Sequence, residues 1–274
     1  GVTPVVTDIA VQGRKIVVLG SEGSTGNNPV VRLMPDGETY DESFNGGTGI
    51  LTLSGPGLDL DQVVRHDDDL YLSGASDEGL EVFKLTADGQ PAAEWATAGN
   101  ATWTPPSPEG SRTEYVNGFI DVRDETGAIV VMGAVQTYTV ERPYIPATSG
   151  AVGALTSEGV LDDTFANRLE PGFYPRGPLV SIAGGRTLAS AVTWTVDSGG
   201  RSASVARFTA DGAFDEDFGQ DGVFRNREAT LFFSPLRTGN TRQLLLPPSR
   251  GTIVTIELAY LREEYRAVLY GLQN

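Results

Sequence analysis

Short β-branched runs bounded by Gly and Asp recur along the chain, the pattern of buried strands separated by turns. Lys15-Ile-Val-Val-Leu-Gly20, Leu70-Tyr-Leu-Ser-Gly74, Ala128-Ile-Val-Val-Met-Gly133 and Thr187-Leu-Ala-Ser-Ala191 form one such set. A second set ends in a turn: Val31-Arg-Leu-Met-Pro-Asp-Gly37, Phe83-Lys-Leu-Thr-Ala-Asp-Gly89, Gly153-Ala-Leu-Thr-Ser-Glu-Gly159 and Ala206-Arg-Phe-Thr-Ala-Asp-Gly212 superpose without gaps. Each is followed, seven or eight positions after its acidic residue, by an aromatic: Phe44, Trp95, Phe165 and Phe218. Weaker runs around Ile9 to Val11, Gln62 to Val64, Phe119 to Val122 and Leu179 to Ala183 precede these two sets, and Gly-led runs at Gly49 to Leu53 and Gly222 to Phe224 follow them. The unit is therefore four strands, a to d, and its anchors Asp36, Asp88, Glu158 and Asp211 lie 52, 70 and 53 residues apart. That period is in the range of propeller blades.

The two ends complete the count. Thr252 to Ile256 matches strand b and Tyr265 to Leu272 matches strand c, after which no Asp-Gly turn or strand d follows. Gly1-Val-Thr matches the start of a strand d. Exchange of that strand would close a ring and remove the exposed edge that open β structures carry. The predicted fold is all-β: a single domain over 1–274, a five-bladed β-propeller of four-stranded antiparallel blades, with blades at approximately 8–54, 58–104, 117–174, 178–226 and 241–274 plus 1–6.

Composition agrees with this and narrows the partners. Thirty-four Gly and 16 Pro suit many short strands joined by turns. A net charge of −16 opposes nucleic acid, whose binding depends on Lys and Arg displacing counterions, and opposes an anionic membrane surface. With no cysteine there is no disulfide framework and no thiolate metal site. No apolar run reaches the roughly 20 residues of a membrane span, and no signal peptide is visible.

The phrase Leu-x-x-Asp-Gly-x-x-Asp-x-x-Phe-Gly-x-x-Gly-Val is best kept in residues 208–223, and Gly13-Arg-Lys-Ile-Val-Val-Leu-Gly20 accompanies it in the first unit. Both resemble the repeat of bacterial delta-60 repeat proteins, a family of β-propellers. Trp95 replaces Phe in the second unit, Glu158 replaces Asp in the third, and the fifth keeps only strands. The resemblance implies a secreted, periplasmic or cell-surface bacterial protein and is silent on activity.

The repeated residues have a structural reading. Gly accepts positive φ and Asp bonds its own backbone in a turn. Asp41, Asp162 and Asp215 are expected to bond local amides, and Phe44, Phe165 and Phe218 to plug the gaps between blades. Calcium is the competing reading of the acidic loops, but they lack Asp-x-Asp-x-Asp-Gly spacing; no cofactor is expected. With the c–d turns taken up by scaffold, function is expected on the opposite face, where the loops vary in length. The 134–150 and 105–118 segments place Tyr115, Tyr138, Arg142 and Tyr144 there, and the 225–240 segment adds Phe232 and Phe233. These six are the candidate binding residues, an aromatic ledge for a sugar or peptide.

Three carboxylates, Asp8, Asp61 and Asp121, sit near the starts of the innermost strands at the expected channel mouth. Together they are weak candidates for an acid and a base or nucleophile in glycoside cleavage. The single His66, beside Asp67 to Asp69, cannot form a multi-histidine metal site and is expected to be a solvated turn residue. No nucleophile elbow, P-loop or dinucleotide fingerprint is present. The leading expectation is a non-enzymatic extracellular module presenting loops to a protein or glycan. Its alternative is a glycan-acting hydrolase using the central carboxylates.

Overall fold

A computed structural model describes residues 5–22, 26–140, 143–144, 146–194, 201–230, 243–245, 252–261 and 264–273. It divides into two compact units, residues 1–171 and 172–274.

The first unit holds three four-stranded antiparallel sheets, each a meander in chain order. The first sheet is β1 (Val5–Gln12), β2 (Lys15–Ser21), β3 (Asn27–Leu33) and β4 (Ile50–Ser54). The second is β5 (Asp59–His66), β6 (Asp69–Ala75), β7 (Leu80–Leu85) and β8 (Asn100–Trp103). The third is β9 (Arg112–Val122), β10 (Ile129–Tyr138), β11 (Ala147–Leu155) and β12 (Arg168–Pro171). Successive sheets pack through their first strands, β1 on β5 and β5 on β9. The alternation seen in the sequence selects the packed face: Val17, Leu19 and Val30 are fully buried against Leu60, Val63, Leu70 and Leu72. Between the second and third sheets the core passes through Tyr71, Leu80, Val82, Trp103, Ile120 and Val131.

In the second unit β13 (Phe173–Ile182), β14 (Arg186–Trp194), β15 (Arg201–Phe208) and β16 (Val223–Thr230) form a further four-stranded sheet. β17 (Gln243–Leu245), β18 (Thr252–Leu261) and β19 (Glu264–Gln273) form a three-stranded one. Strands b and c of the fifth repeat are β18 and β19, as the pattern predicts. The spare strand expected at Gly1 to Thr3 lies outside the described residues.

The repeated phrase joins one sheet to the next. Its acidic residue organises the turn: Asp36 Oδ1 accepts from the Thr39 and Glu38 amides at 2.9 and 3.0 Å. Its aromatic reaches under the turn of the following sheet. A Cβ added at Gly89 would stand 2.2 Å from the Phe44 ring, and one at Gly159 would stand 2.7 Å from Trp95. Both glycines also have positive φ, +80° and +81°. Two independent constraints thus exclude a side chain at each position. Neighbouring bonds close the same joints: the Asn45 amide donates to the Asp88 carbonyl at 2.8 Å, and Trp95 Nε1 donates to the Ser157 carbonyl at 2.9 Å.

The acidic residues four or five positions on are engaged in the same way. Asp41 accepts from the Ser43 amide at 3.1 Å, Asp162 from the Thr164 amide at 2.9 Å, and Asp215 from the Asp217 amide at 3.3 Å. The sequence pattern does not reveal their cations. Buried Arg32 donates from Nε to Asp41 at 2.6 Å, lies 4.6 Å over the Phe44 ring, and reaches the Ala87 carbonyl of the second sheet. Arg207 repeats the arrangement with Asp215 at 2.8 Å and Phe218 at 4.7 Å. Burial pushes the Asp41 carboxyl up, but bonds from Lys15, Ser43 and Arg32 outweigh it and hold the group well below the usual range.

Candidate functional site

In the first two sheets the first strand is shaped by a β-bulge near its start. The b strands of the first two sheets carry Gly20 and Gly74 at the same level, paired with Val6 and Leu60. One residue is then skipped, Thr7 in β1 and Asp61 in β5, before pairing resumes at Asp8 opposite Leu19 and Gln62 opposite Ser73. β9 pairs through this level without a break, Gly118 opposite Gly133, and its irregularity comes earlier, between Tyr115 and Asn117. A bulge bends the strand and re-aims the side chains beside it, which is why bulges recur next to functional sites.

These bulges bring two of the three predicted carboxylates to within one register position of each other on neighbouring first strands. Asp8 follows the β1 bulge and accepts from the Val63 amide of β5 at 2.9 Å. Asp61 occupies the β5 bulge and accepts from the Gly118 amide of β9 at 2.9 Å. Gln62 stands at the register position of Asp8 and accepts from the Ile120 amide at 2.8 Å. Each link is a side chain of one inner strand holding the backbone of the next, and Asp8 and Asp61 remain partly exposed while Gln62 is buried. Burial raises the Asp8 carboxyl above its ordinary value, partly offset by the Val63 and Ile9 amides.

Asp121 is placed elsewhere. It pairs with Val130, one position from the end of β9, because β9 starts at Arg112, well before the point from which the innermost strand was counted. His66 is also not the solvated residue expected. Its side chain is 16% exposed, its ring meets Tyr71 edge-on at 6.4 Å, and Nδ1 is 3.5 Å from Asp124 of the third sheet. Among the described residues no three His, Cys, Asp or Glu side chains form a group able to hold a metal ion. No helix there is long and apolar enough to cross a membrane.

Among the described residues, Tyr115 and Tyr138 of the expected aromatic ledge lie on opposite faces of the third sheet. Tyr115 faces the second sheet, packed against the core between the sheets. Tyr138 pairs with Arg112, and simple strand alternation sets this pair on the opposite face from Tyr115. Tyr144 is 90% exposed. Arg142, Phe232 and Phe233 lie outside the described residues.

No protein-family model and no curated protein matches the chain. It is similar to several solved structures. An endo-arabinase from Bacteroides thetaiotaomicron is 10% identical over 99% of this chain and 95% of its own, with a TM-score of 0.49. A thermostable family-43 glycoside hydrolase is 8% identical over 96% and 91%, with a TM-score of 0.45. An α-L-arabinanase from Cellvibrio cellulosa, complexed with arabinohexaose, is 13% identical over 76% and 74%, with a TM-score of 0.44. These are glycan-cleaving enzymes where a non-enzymatic module was expected, and that expectation is withdrawn. None of these likenesses assigns a role to a residue of this chain.

Proposed function

We propose that the protein is a glycan-acting hydrolase that works at the bulged entrance of its innermost strands. The observation that carries this reading is the placement of Asp8 and Asp61 one register position apart at the bulges of neighbouring first strands, with burial raising the Asp8 carboxyl. Glycoside cleavage needs one carboxylic acid to protonate the departing oxygen and a second carboxylate to activate water or attack the sugar carbon. Asp8 suits the acid, because a raised carboxyl keeps its proton nearer neutrality. Asp61, oriented by the Gly118 amide, supplies the second group.

The test is release of reducing ends from neutral polysaccharides, arabinan and xylan first, by the intact chain and by Asp8→Asn and Asp61→Asn. Asparagine keeps an acceptor for the Val63 or Gly118 amide and removes the ionisable group. The expected outcome is an unchanged melting temperature with activity reduced about 10²–10⁴-fold. Activity that survives in both variants sinks the assignment.

On the architecture, we infer a five-bladed ring in which residues ahead of β1 complete the last, three-stranded sheet. Support comes from the repeat count and from the apolar side chains Val6, Ile9 and Val11, 57–59% exposed on β1. Deleting residues 1–4 then lowers the melting temperature by several degrees, and an unchanged value counts against closure. The same reading, with a polymeric substrate, favours a secreted, periplasmic or cell-surface setting, and the delta-60 repeat as its family.

A further inference from the structure

The third sheet stands higher than the second. In the second sheet the pairing of strands a and b stops one position beyond Gly74, at Asp59–Ala75. In the third it runs on from Gly133 to Tyr138, opposite Arg112. Four further residue pairs carry it roughly 13 Å beyond the last pair of the second sheet. The raised part is a continuous antiparallel hairpin edge, with β9 as the sheet's edge strand and Thr137–Ala147 pairing β10 to β11 behind it. Rigid strand, not loop, presents whatever it carries.

Its outer face carries one polar constellation. The irregularity between Tyr115 and Asn117 shifts the alternation, so Tyr115 and Thr113 face the second sheet while Arg112 and Glu114 face away. There Tyr138 Oη lies 2.9 Å from Glu114 Oε2 and 3.1 Å from Gln136 Oε1. Arg112 Nη1 lies 2.9 Å from Glu114 Oε1, and its guanidinium sits 4.3 Å over the Tyr138 ring. The Arg112 and Glu114 side chains are 65% and 43% exposed. Their contacts fix each other's geometry before any ligand arrives, which reduces the ordering that binding requires.

We propose that Arg112, Glu114, Gln136 and Tyr138 form a subsite for one neutral sugar unit of a polymer held across the entrance. The proposal rests on the hydrolase reading above. Three features select the ligand class. The group balances one cation with one anion, so it is not built for a charged ligand. It offers guanidinium donors, carboxylate and amide acceptors and a phenol, the mixture that vicinal hydroxyls satisfy. It is also tied to the entrance along one strand, since Gly118, whose amide holds Asp61, lies on β9 three residue pairs from Glu114, roughly 10 Å away. A chain bound at both places spans a few sugar units, so the subsite acts on substrate length and not on the bond-breaking step. These are positioning residues.

The experiment compares wild type with Glu114→Gln and with the Tyr138→Ala, Glu114→Ala pair on arabinohexaose, xylohexaose and short aryl glycosides, and also measures hexaose binding calorimetrically to Asp8→Asn. Expected is a rise in KM for the hexaose of roughly tenfold, as loss of one or two hydrogen bonds gives, with kcat and aryl-glycoside turnover unchanged. The same substitutions placed on Asp8→Asn weaken hexaose binding by a similar factor. Equal effects on long and short substrates, or hexaose binding indifferent to the substitutions, overturn the subsite. Absence of hydrolysis by wild type overturns the hydrolase reading separately, and the calorimetric arm still decides the subsite: no binding of either hexaose refutes it.

Discussion

A buried guanidinium with several fixed partners is the most committed residue type in this protein. Arg32 serves Asp41, Ser43, Gln12 and a carbonyl of the next sheet at once. Its replacement by Ala leaves buried acceptors without a donor, and a loss of about 3–5 kcal/mol in denaturant-derived stability is expected. Arg32→Lys recovers only part of it, because an ammonium cannot reproduce the planar fork. Gly89→Ala combines a left-handed backbone with a collision against the Phe44 ring, at a cost of about 2–4 kcal/mol measured the same way. The carboxylates set the pH response. Asp41, Asp162 and Asp215 are depressed in the fold, so their stabilisation is complete above about pH 4, where the unfolded groups are ionised, and drains away on acidification through their folded values. Asp8 is raised and acts with the opposite sign: its contribution is full below the unfolded value and is lost as pH rises through its folded one. Acid titration of stability is therefore expected to be shallower in wild type than in Asp8→Asn. The hydrolase reading adds that activity falls on the alkaline side as Asp8 loses its proton.

At the scale of the element, the informative contrast lies between strands called from local pattern and strands made by neighbours. Lys15–Ser21 and Asp69–Ala75 coincide with β-branched or aromatic runs bounded by Gly and Asp, which suffice to mark a buried strand wherever it sits. The 134–150 segment reads as a long loop because Gln136, Thr137 and Tyr138 lack an apolar run. It is largely strand, since β9 and β11 flank β10 and satisfy its backbone on both sides. The 105–118 segment fails in the same way from Arg112 onward. That pairing is what converts a predicted ledge of loop residues into a rigid raised edge. Insertion of one alanine between Glu114 and Tyr115 tests the role of register in the raised strand: the extra residue turns Glu114 toward the second sheet. Loss of the hexaose length preference, with retained aryl-glycoside turnover, is the expected readout.

For the whole molecule, charge is the variable that acts everywhere at once. With 36 acidic residues against 20 basic ones, the folded chain repels itself, and salt screens that repulsion over about 10 Å at 0.1 M. The buried Arg32–Asp41 pair is 4–5% exposed and is screened far less. Melting temperature is thus expected to rise between low salt and roughly 0.5 M NaCl; a fall would mean that exposed ion pairs, not net repulsion, dominate.

The sequence by itself determined the repeat, the meander of four strands within it, and the scaffold role of the Asp-Gly turns. Those properties are local: a turn needs its glycine and a buried strand its apolar run, whatever surrounds them. It also placed Asp8 and Asp61 on innermost strands. Tertiary structure alone decided what these residues meet. The bulges that set Asp8 and Asp61 one register position apart follow the pairs Val6–Gly20 and Leu60–Gly74, and Asp121 falls near the far end of β9 because that strand begins earlier than its pattern suggests. The face on which Glu114 and Tyr138 meet depends on a one-residue shift of register in β9. Such shifts cost little in sequence and turn every following side chain to the other face.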